Sequence, residues 1–320
     1  MLSRALLAAL LALGASAAMA QDAYPTKPVT VIIPAAAGNS PDVATRFITD
    51  RLSTMWKQQV IVLNKPGAGG LIAAQAAAGV TPDGYTLYMT QASSWTVLPV
   101  QQGDKMPVDL FKAFVPISLI GDQPIGVAVN PGTGVNTVPE LIAKIKATPG
   151  GMLFGATNRG SQSHLTGELF KRRANVPLDF VHAQGVSHTI TDVAAGRIPI
   201  VFEGIAGLSS ASQSGLIKVI GIAAEQRLPN YPDLPTIAET IPGFRSAGWI
   251  MLMAPAGTPD AIVQKINADL KTILAEPDLI EKFGKIGTYP HYTTPAEGTA
   301  FLKKETETWW PLVREVGPQR

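Results

Sequence analysis

Residues 29–52 read VTVIIPAAAGNSPDVATRFITDRL, and this stretch decides the fold class. Val29–Pro34 is a short apolar run rich in β-branched residues, the pattern of a strand buried on both faces. Ser40-Pro41-Asp42 then offers a capping hydroxyl, a proline at the first helical position and an acid in the first turn, so a helix is predicted to start there. Val43, Phe47, Ile48, Leu52 and Met55 give that helix one apolar stripe. Strand, small loop and helix together form one β-loop-α unit.

The unit recurs along the chain. Apolar runs at Val60–Leu63, Tyr85–Thr90, Pro116–Ile120, Ile125–Val129, Met152–Gly155, Pro199–Phe202, Lys218–Ala223 and Trp249–Met253 alternate with longer amphipathic or Ala-rich stretches. This alternation predicts an α/β fold of mostly parallel sheets flanked by helices. Further helix starts are marked by Thr137 with Glu140, by Thr294 with Glu297 and by Thr258-Pro259-Asp260. Gly121-Asp122-Gln123-Pro124 separates two strand-like runs, and a second crossing falls near Gly243–Gly248. Two crossings make one lobe discontinuous: residues 22–123 plus 247–320 form lobe 1 and residues 124–246 form lobe 2.

Arg4, the apolar run Ala5–Leu13 and Ala18-Met19-Ala20 read as a signal peptide, residues 1–20, cleaved after Ala20. The apolar run is too short to span a bilayer, and no later segment is apolar for long enough. The remaining chain suffices for two domains of the usual size, roughly 100–200 residues each. The 26 Lys and Arg nearly cancel the 24 Asp and Glu, so no global field points toward nucleic acid or an anionic membrane. Cysteine is absent, which excludes thiolate metal sites and a cysteine nucleophile.

Most catalytic motifs fail on inspection. Gly38-Asn39-Ser40-Pro41-Asp42 ends in Asp where a nucleophile elbow needs Gly. His164, His182, His188 and His291 show no metal-ligand spacing, so no metal and no cofactor is expected. Gly67-Ala68-Gly69-Gly70 lacks the third glycine of a dinucleotide loop, and Gly155–Gly160 is followed by Ser161-Gln162 instead of the Lys-Ser/Thr of a phosphate loop. Two small polar loops remain, Ala35–Ser40 and Thr157–Ser163, each after a strand and before a helix. Free N–H groups at a helix start attract carboxylates, although ordinary βα connections look the same.

In order along the chain come Tyr24-Pro25-Thr26-Lys27-Pro28, Pro34-Ala35-Ala36-Ala37-Gly38 with Asp42, and Asn64-Lys65-Pro66-Gly67-Ala68-Gly69-Gly70. Pro82-Asp83-Gly84-Tyr85-Thr86-Leu87, Ser163-His164-Leu165 with Gly167-Glu168-Leu169-Phe170, Leu234–Glu239 and Ala254–Pro259 follow. With these the chain resembles the solute-binding proteins of tripartite tricarboxylate transporters, the Bug family, over nearly its whole length beyond the signal. The resemblance implies a two-lobed periplasmic binding protein of the Venus-flytrap type, with a small carboxylate ligand and integral-membrane permease subunits as partners. A periplasmic monomer that is not an enzyme is expected.

By position, the resemblance carries ligand-binding roles to Gly38, Asn39 and Ser40 on one lobe and to Thr157, Asn158, Ser161 and Ser163 on the other. Ser93, Ser94, His182, Ala183 and Gln184 are implied as wall residues, and Glu203 as an acid near the pocket. Two departures bear on the ligand: Asn39 stands where the family has a second glycine, and Ala183-Gln184 where it has Tyr-Lys. They point to a larger, flatter acid, an aromatic dicarboxylate such as terephthalate, with Trp95 and Phe154 as stacking and Arg159 as pairing candidates. A sensory receptor presenting its ligand to a membrane kinase, or an enzyme using Glu203 or His182, are the competing readings.

Overall fold

The computed structural model describes residues 24–157, 159–183 and 185–317, so the signal segment, Asn158 and Gln184 lie outside the described residues. Among the described residues ten strands are joined by pairing: β1 (Val29–Ile33), β2 (Val60–Asn64), β3 (Thr86–Gln91), β4 (Phe114–Val129), β5 (Met152–Ala156), β6 (Leu178–His182), β7 (Ile200–Gly204), β8 (Lys218–Ile222), β9 (Ala247–Pro255) and β10 (Tyr289–Pro290). Their spatial order is β2-β1-β3-β9-β4-β7-β5-β6, with β8 and β10 also pairing β4. This is the expected two-lobed α/β periplasmic binding protein fold.

The pairings are more mixed than the alternating pattern predicts. β1 pairs β2 and β3 in parallel, and β5 pairs β6 and β7 in parallel, so each lobe keeps a β-loop-α half. The pairs β3–β9, β4–β9 and β4–β7 are antiparallel. The cause is topological: a chain that crosses to a second lobe on one strand must return on another running the opposite way.

Gly121-Asp122-Gln123-Pro124 is therefore not a break. β4 runs through it for 16 residues, with Gly121 opposite Ile250 and Pro124 opposite Ala247 on β9. The strand bends at irregularities between Pro116 and Ser118 and between Leu119 and Gly121, where a proline without an N–H is tolerated.

The first helix spans Ser40–Trp56 and stops where Lys57 turns left-handed. Ile48, Leu52 and Trp56 face the core of lobe 1, but Met55 faces solvent, so the stripe is rotated from the predicted one. Each fully buried Leu or Ile contributes roughly 1.5–3 kcal/mol. Two proline-marked starts also shift. Ser40 is already helical and its hydroxyl donates to the Ile286 carbonyl, while Thr258 donates to Pro255 and Pro259 takes the cap position. Thr137 and Thr294 cap as predicted.

The last helix, Pro295–Val316, ties both lobes together. Gly298 meets Pro116, while Trp309, Leu312 and Val313 sit in a core with Phe170, Phe202 and Phe244. Among the described residues no helix is long and apolar enough to cross a membrane.

Candidate ligand-binding cleft

Where β4 and β9 cross between the lobes, a cleft of about 360 Å³ opens. Pro41, Gly69, Ala92 and Ser93 bound it from lobe 1, Gly160, Ser161 and Gln162 from lobe 2, and the facing pair Gln123 and Gly248 lies at the crossing. Val97, Leu98 and Trp249 add apolar wall. No charged side chain lies among the described residues of the lining.

Of the sequence-predicted residues, Ser93 and Ser161 line this cleft, one from each lobe. Ser161 also caps the helix Gln162–Ala174 by accepting from the His164 N–H at 3.2 Å. Ser40 stands one contact behind, accepting from Gln123 Nε2 at 2.8 Å. Gly38 and Asn39 are exposed in the loop above, outside the lining. Their N–H groups are taken locally: Gly38 donates to Asp42 Oδ2 at 2.9 Å and Asn39 to the Ala36 carbonyl at 3.3 Å.

Asp42 organises that loop. It is buried, pairs bidentately with Arg46 and accepts from Asn64 Nδ2. Burial pushes its carboxyl pKa up, but the bonds from Arg46, Asn64 and the Gly38 N–H outweigh this and hold it below the ordinary value.

The remaining predicted residues lie away from the lining. Ser94 is buried under Gly70, which has no Cβ to strike its hydroxyl. Thr157 is half-buried at the end of β5. Ser163 is buried and donates to Glu203 Oε1 at 3.0 Å, and the Gly204 N–H donates to the same oxygen at 2.9 Å. Glu203 Oε2 has no partner, and burial pushes the carboxyl up against those two bonds. His182 is exposed, and Ala183 is buried with its N–H on the Ala156 carbonyl.

Trp95 and Phe154 are core residues. Trp95 donates to Thr90 Oγ1 and packs edge-on against Phe111, while Phe154 is ringed by Phe180, Phe202 and His164. Arg159 reaches the Val316 carbonyl and covers Phe180, turned toward the last helix. His164 is buried, and its Nδ1 accepts from the Gly160 N–H at 2.9 Å, which fixes the loop beside the cleft. Among the described residues no His, Cys, Asp and Glu cluster could hold a metal.

Sequence reasoning missed the four glutamines of the lining, Gln91, Gln101, Gln123 and Gln162. The usable signal was the crossing itself, because Gln123 sits inside the tetrapeptide that marks it. The charges lie behind the lining. Arg245 bridges Asp122 at 2.9 Å and Glu305 at 3.0 Å, and the Trp249 and Trp309 indoles donate to Glu305 Oε2. Burial would raise Asp122, but His291 and Arg245 beside it hold its pKa low; burial pushes Glu305 up even against Arg245.

Residues 44–317 match the family described as tripartite tricarboxylate transporter family receptor. The chain is 31% identical over 305 residues to protein BugT of Bordetella pertussis, covering 95% of this chain and 94% of that one. A solved structure described as a periplasmic transporter is 31% identical, with a TM-score of 0.71 over 91% of this chain and 98% of its own. The R. palustris protein Rpa4515, solved with adipate, is 28% identical, with a TM-score of 0.70 over 92% of this chain and 98% of its own.

Proposed function

The chain belongs to the tripartite tricarboxylate transporter receptor family, and from that premise we propose that it is exported to the periplasm, captures a dicarboxylate between its lobes and delivers it to an integral-membrane permease. The observation that carries this reading is the uncharged cleft at the crossing, with Ser93 and Ser161 facing in from opposite lobes. Hydroxyls, amides and backbone N–H groups can hold carboxylates without a fixed cation. Lobe closure then brings the two sets of groups onto one ligand. The lobes of this reading are residues 22–123 with 247–320 and residues 124–246, and the reversal of strand direction at β4 and β9 supports them.

Within that class we favour a flat aromatic diacid of terephthalate type. The apolar walls Val97, Leu98 and Trp249 support the choice, whereas Asn39 and Ala183, where the family carries glycine and tyrosine, stand outside the lining and lend it nothing. A thermal-shift screen of the mature chain against succinate, adipate, citrate and terephthalate tests both levels, because a ligand of the folded state raises Tm by mass action. The expected outcome is a rise with terephthalate larger than with the aliphatic acids. No rise with any acid sinks the carboxylate reading, and a rise with aliphatic acids alone sinks the aromatic one. Deleting the gene should abolish uptake of the ligand while leaving ligand-dependent induction intact, which separates transport from sensing.

A further inference from the structure

One buried side chain holds the lobe 2 rim of the cleft from behind. His164 is 1% exposed and is the third residue of the helix Gln162–Ala174. Its backbone N–H donates to Ser161 Oγ at 3.2 Å, and its ring Nδ1 accepts from the Gly160 N–H at 2.9 Å. Main chain and ring thus grip two consecutive residues, and both of these line the cleft. The ring is clamped in turn: it stacks on Phe154 at 16° and lies 3.9 Å, centre to centre, from Phe180.

Because Nδ1 accepts, the ring proton sits on Nε2, which has no hydrogen-bond partner and stands 3.6 Å from Glu168 Oε1. A buried donor left unpaired costs stability, so packing alone does not account for a histidine here. What the imidazole adds over a phenyl ring is the acceptor at Nδ1. Gly160 turns at a φ of 78°, a left-handed conformation that favours glycine, and its N–H points back under the helix to that acceptor. Ser161 Oγ, already accepting from His164, keeps its own proton to donate. The first-turn N–H of Gln162 likewise has no acceptor within the helix.

We propose that His164 is a positioning residue for ligand capture: it touches no ligand, and its Nδ1 sets the Gly160–Gln162 turn so that the Ser161 hydroxyl and the Gln162 N–H meet a carboxylate in the cleft. The inference rests on the cleft being the ligand site. Asparagine is the discriminating replacement, because its Oδ1 takes the place of Nδ1 as acceptor while the ring is gone. Leucine fills the apolar space and offers no acceptor.

Calorimetry on the mature chain, on His164→Asn and on His164→Leu, each with succinate, adipate, citrate and terephthalate, tests this. The acid bound by the parent should bind His164→Asn within about twofold and His164→Leu about tenfold more weakly, the size of one net hydrogen bond. Tm without ligand, measured alongside, separates positioning from stability. Both variants lose the ring and should melt below the parent, yet only His164→Leu should lose affinity. Should His164→Leu fail to fold, His164→Phe, which keeps a ring between Phe154 and Phe180, carries the same comparison. Parent-like affinity in the acceptor-free variant overturns the inference, as does an equal loss in His164→Asn, and the receptor reading stands in either case. Binding of none of the four acids by the parent overturns the cleft reading and the inference together.

Discussion

Asp122 and Gln123 are consecutive residues of β4, and successive side chains of a strand point to opposite faces. On one face Asp122 joins Arg245, Glu305 and His291 in a charged cluster, with Arg245 13% and Glu305 9% exposed. On the other, Gln123 opens onto a cleft with no charged side chain among its described lining. The two faces use polarity differently. Charges fix the crossing where every carboxylate oxygen of Asp122 and Glu305 finds a donor, because breaking such a pair is costly. The ligand face stays neutral, so an arriving anion meets dipoles and no fixed cation has to be stripped of water when the cleft fills.

Substitutions can break this contrast from either side. The largest effect is expected for Glu305→Ala, which strands Arg245 and two indole donors and should cost about 3–5 kcal/mol in urea unfolding. Asp122→Asn should cost about 2 kcal/mol at neutral pH, the scale of hydrogen bonds to a charged group. Because the folded pKa of Asp122 lies below its unfolded value, its contribution is complete above the ordinary carboxylate range and is lost as pH falls through the depressed value. The variant and the parent should therefore converge in acid.

On the cleft side the effects are smaller. Ser161→Ala removes a helix cap and should cost about 1 kcal/mol by thermal unfolding. Glu203→Gln should give a small gain at neutral pH. Burial raises the folded pKa of Glu203, so its contribution is fullest below the ordinary carboxylate range and is lost as pH rises through the raised value. The gain should accordingly shrink as pH is lowered, opposite in sign to the trend at Asp122. A stability curve of Glu203→Gln parallel to the parent across that range would remove the distinction between the two acids.

Elements with a local cause were readable. The apolar runs became strands because a short β-branched run between turn residues has few other folds open to it, and Thr137 and Thr294 cap because the capping acid or amide lies one turn away. Leu178–His182 was not read as a strand, since its half-exposed sequence carries a weaker apolar signal. Ser40 was legible as a helix start but not as a partner of Gln123, which lies 83 positions away.

The candidate site divides in the same way. Ser93 and Ser161 are reached through the family resemblance, which carries ligand roles to the segments after β3 and β5. Gln91, Gln101, Gln123 and Gln162 carry no motif, since a glutamine becomes a recognition group only when neighbours fix its amide. Trp95, Phe154 and Arg159 show the converse: residue types suited to binding, which packing assigned to the core and to the last helix.

By itself, the sequence determined the α/β class, most strands, the helix starts and the family, because these depend on periodicity, local caps and the order of short motifs. Only the tertiary structure decided that residues 121–124 continue a strand, that the charges lie on one face of the crossing and that the cleft lies on the other. Those outcomes depend on which side chains meet across β4 and β9, and pairing between distant strands leaves no mark on either strand alone.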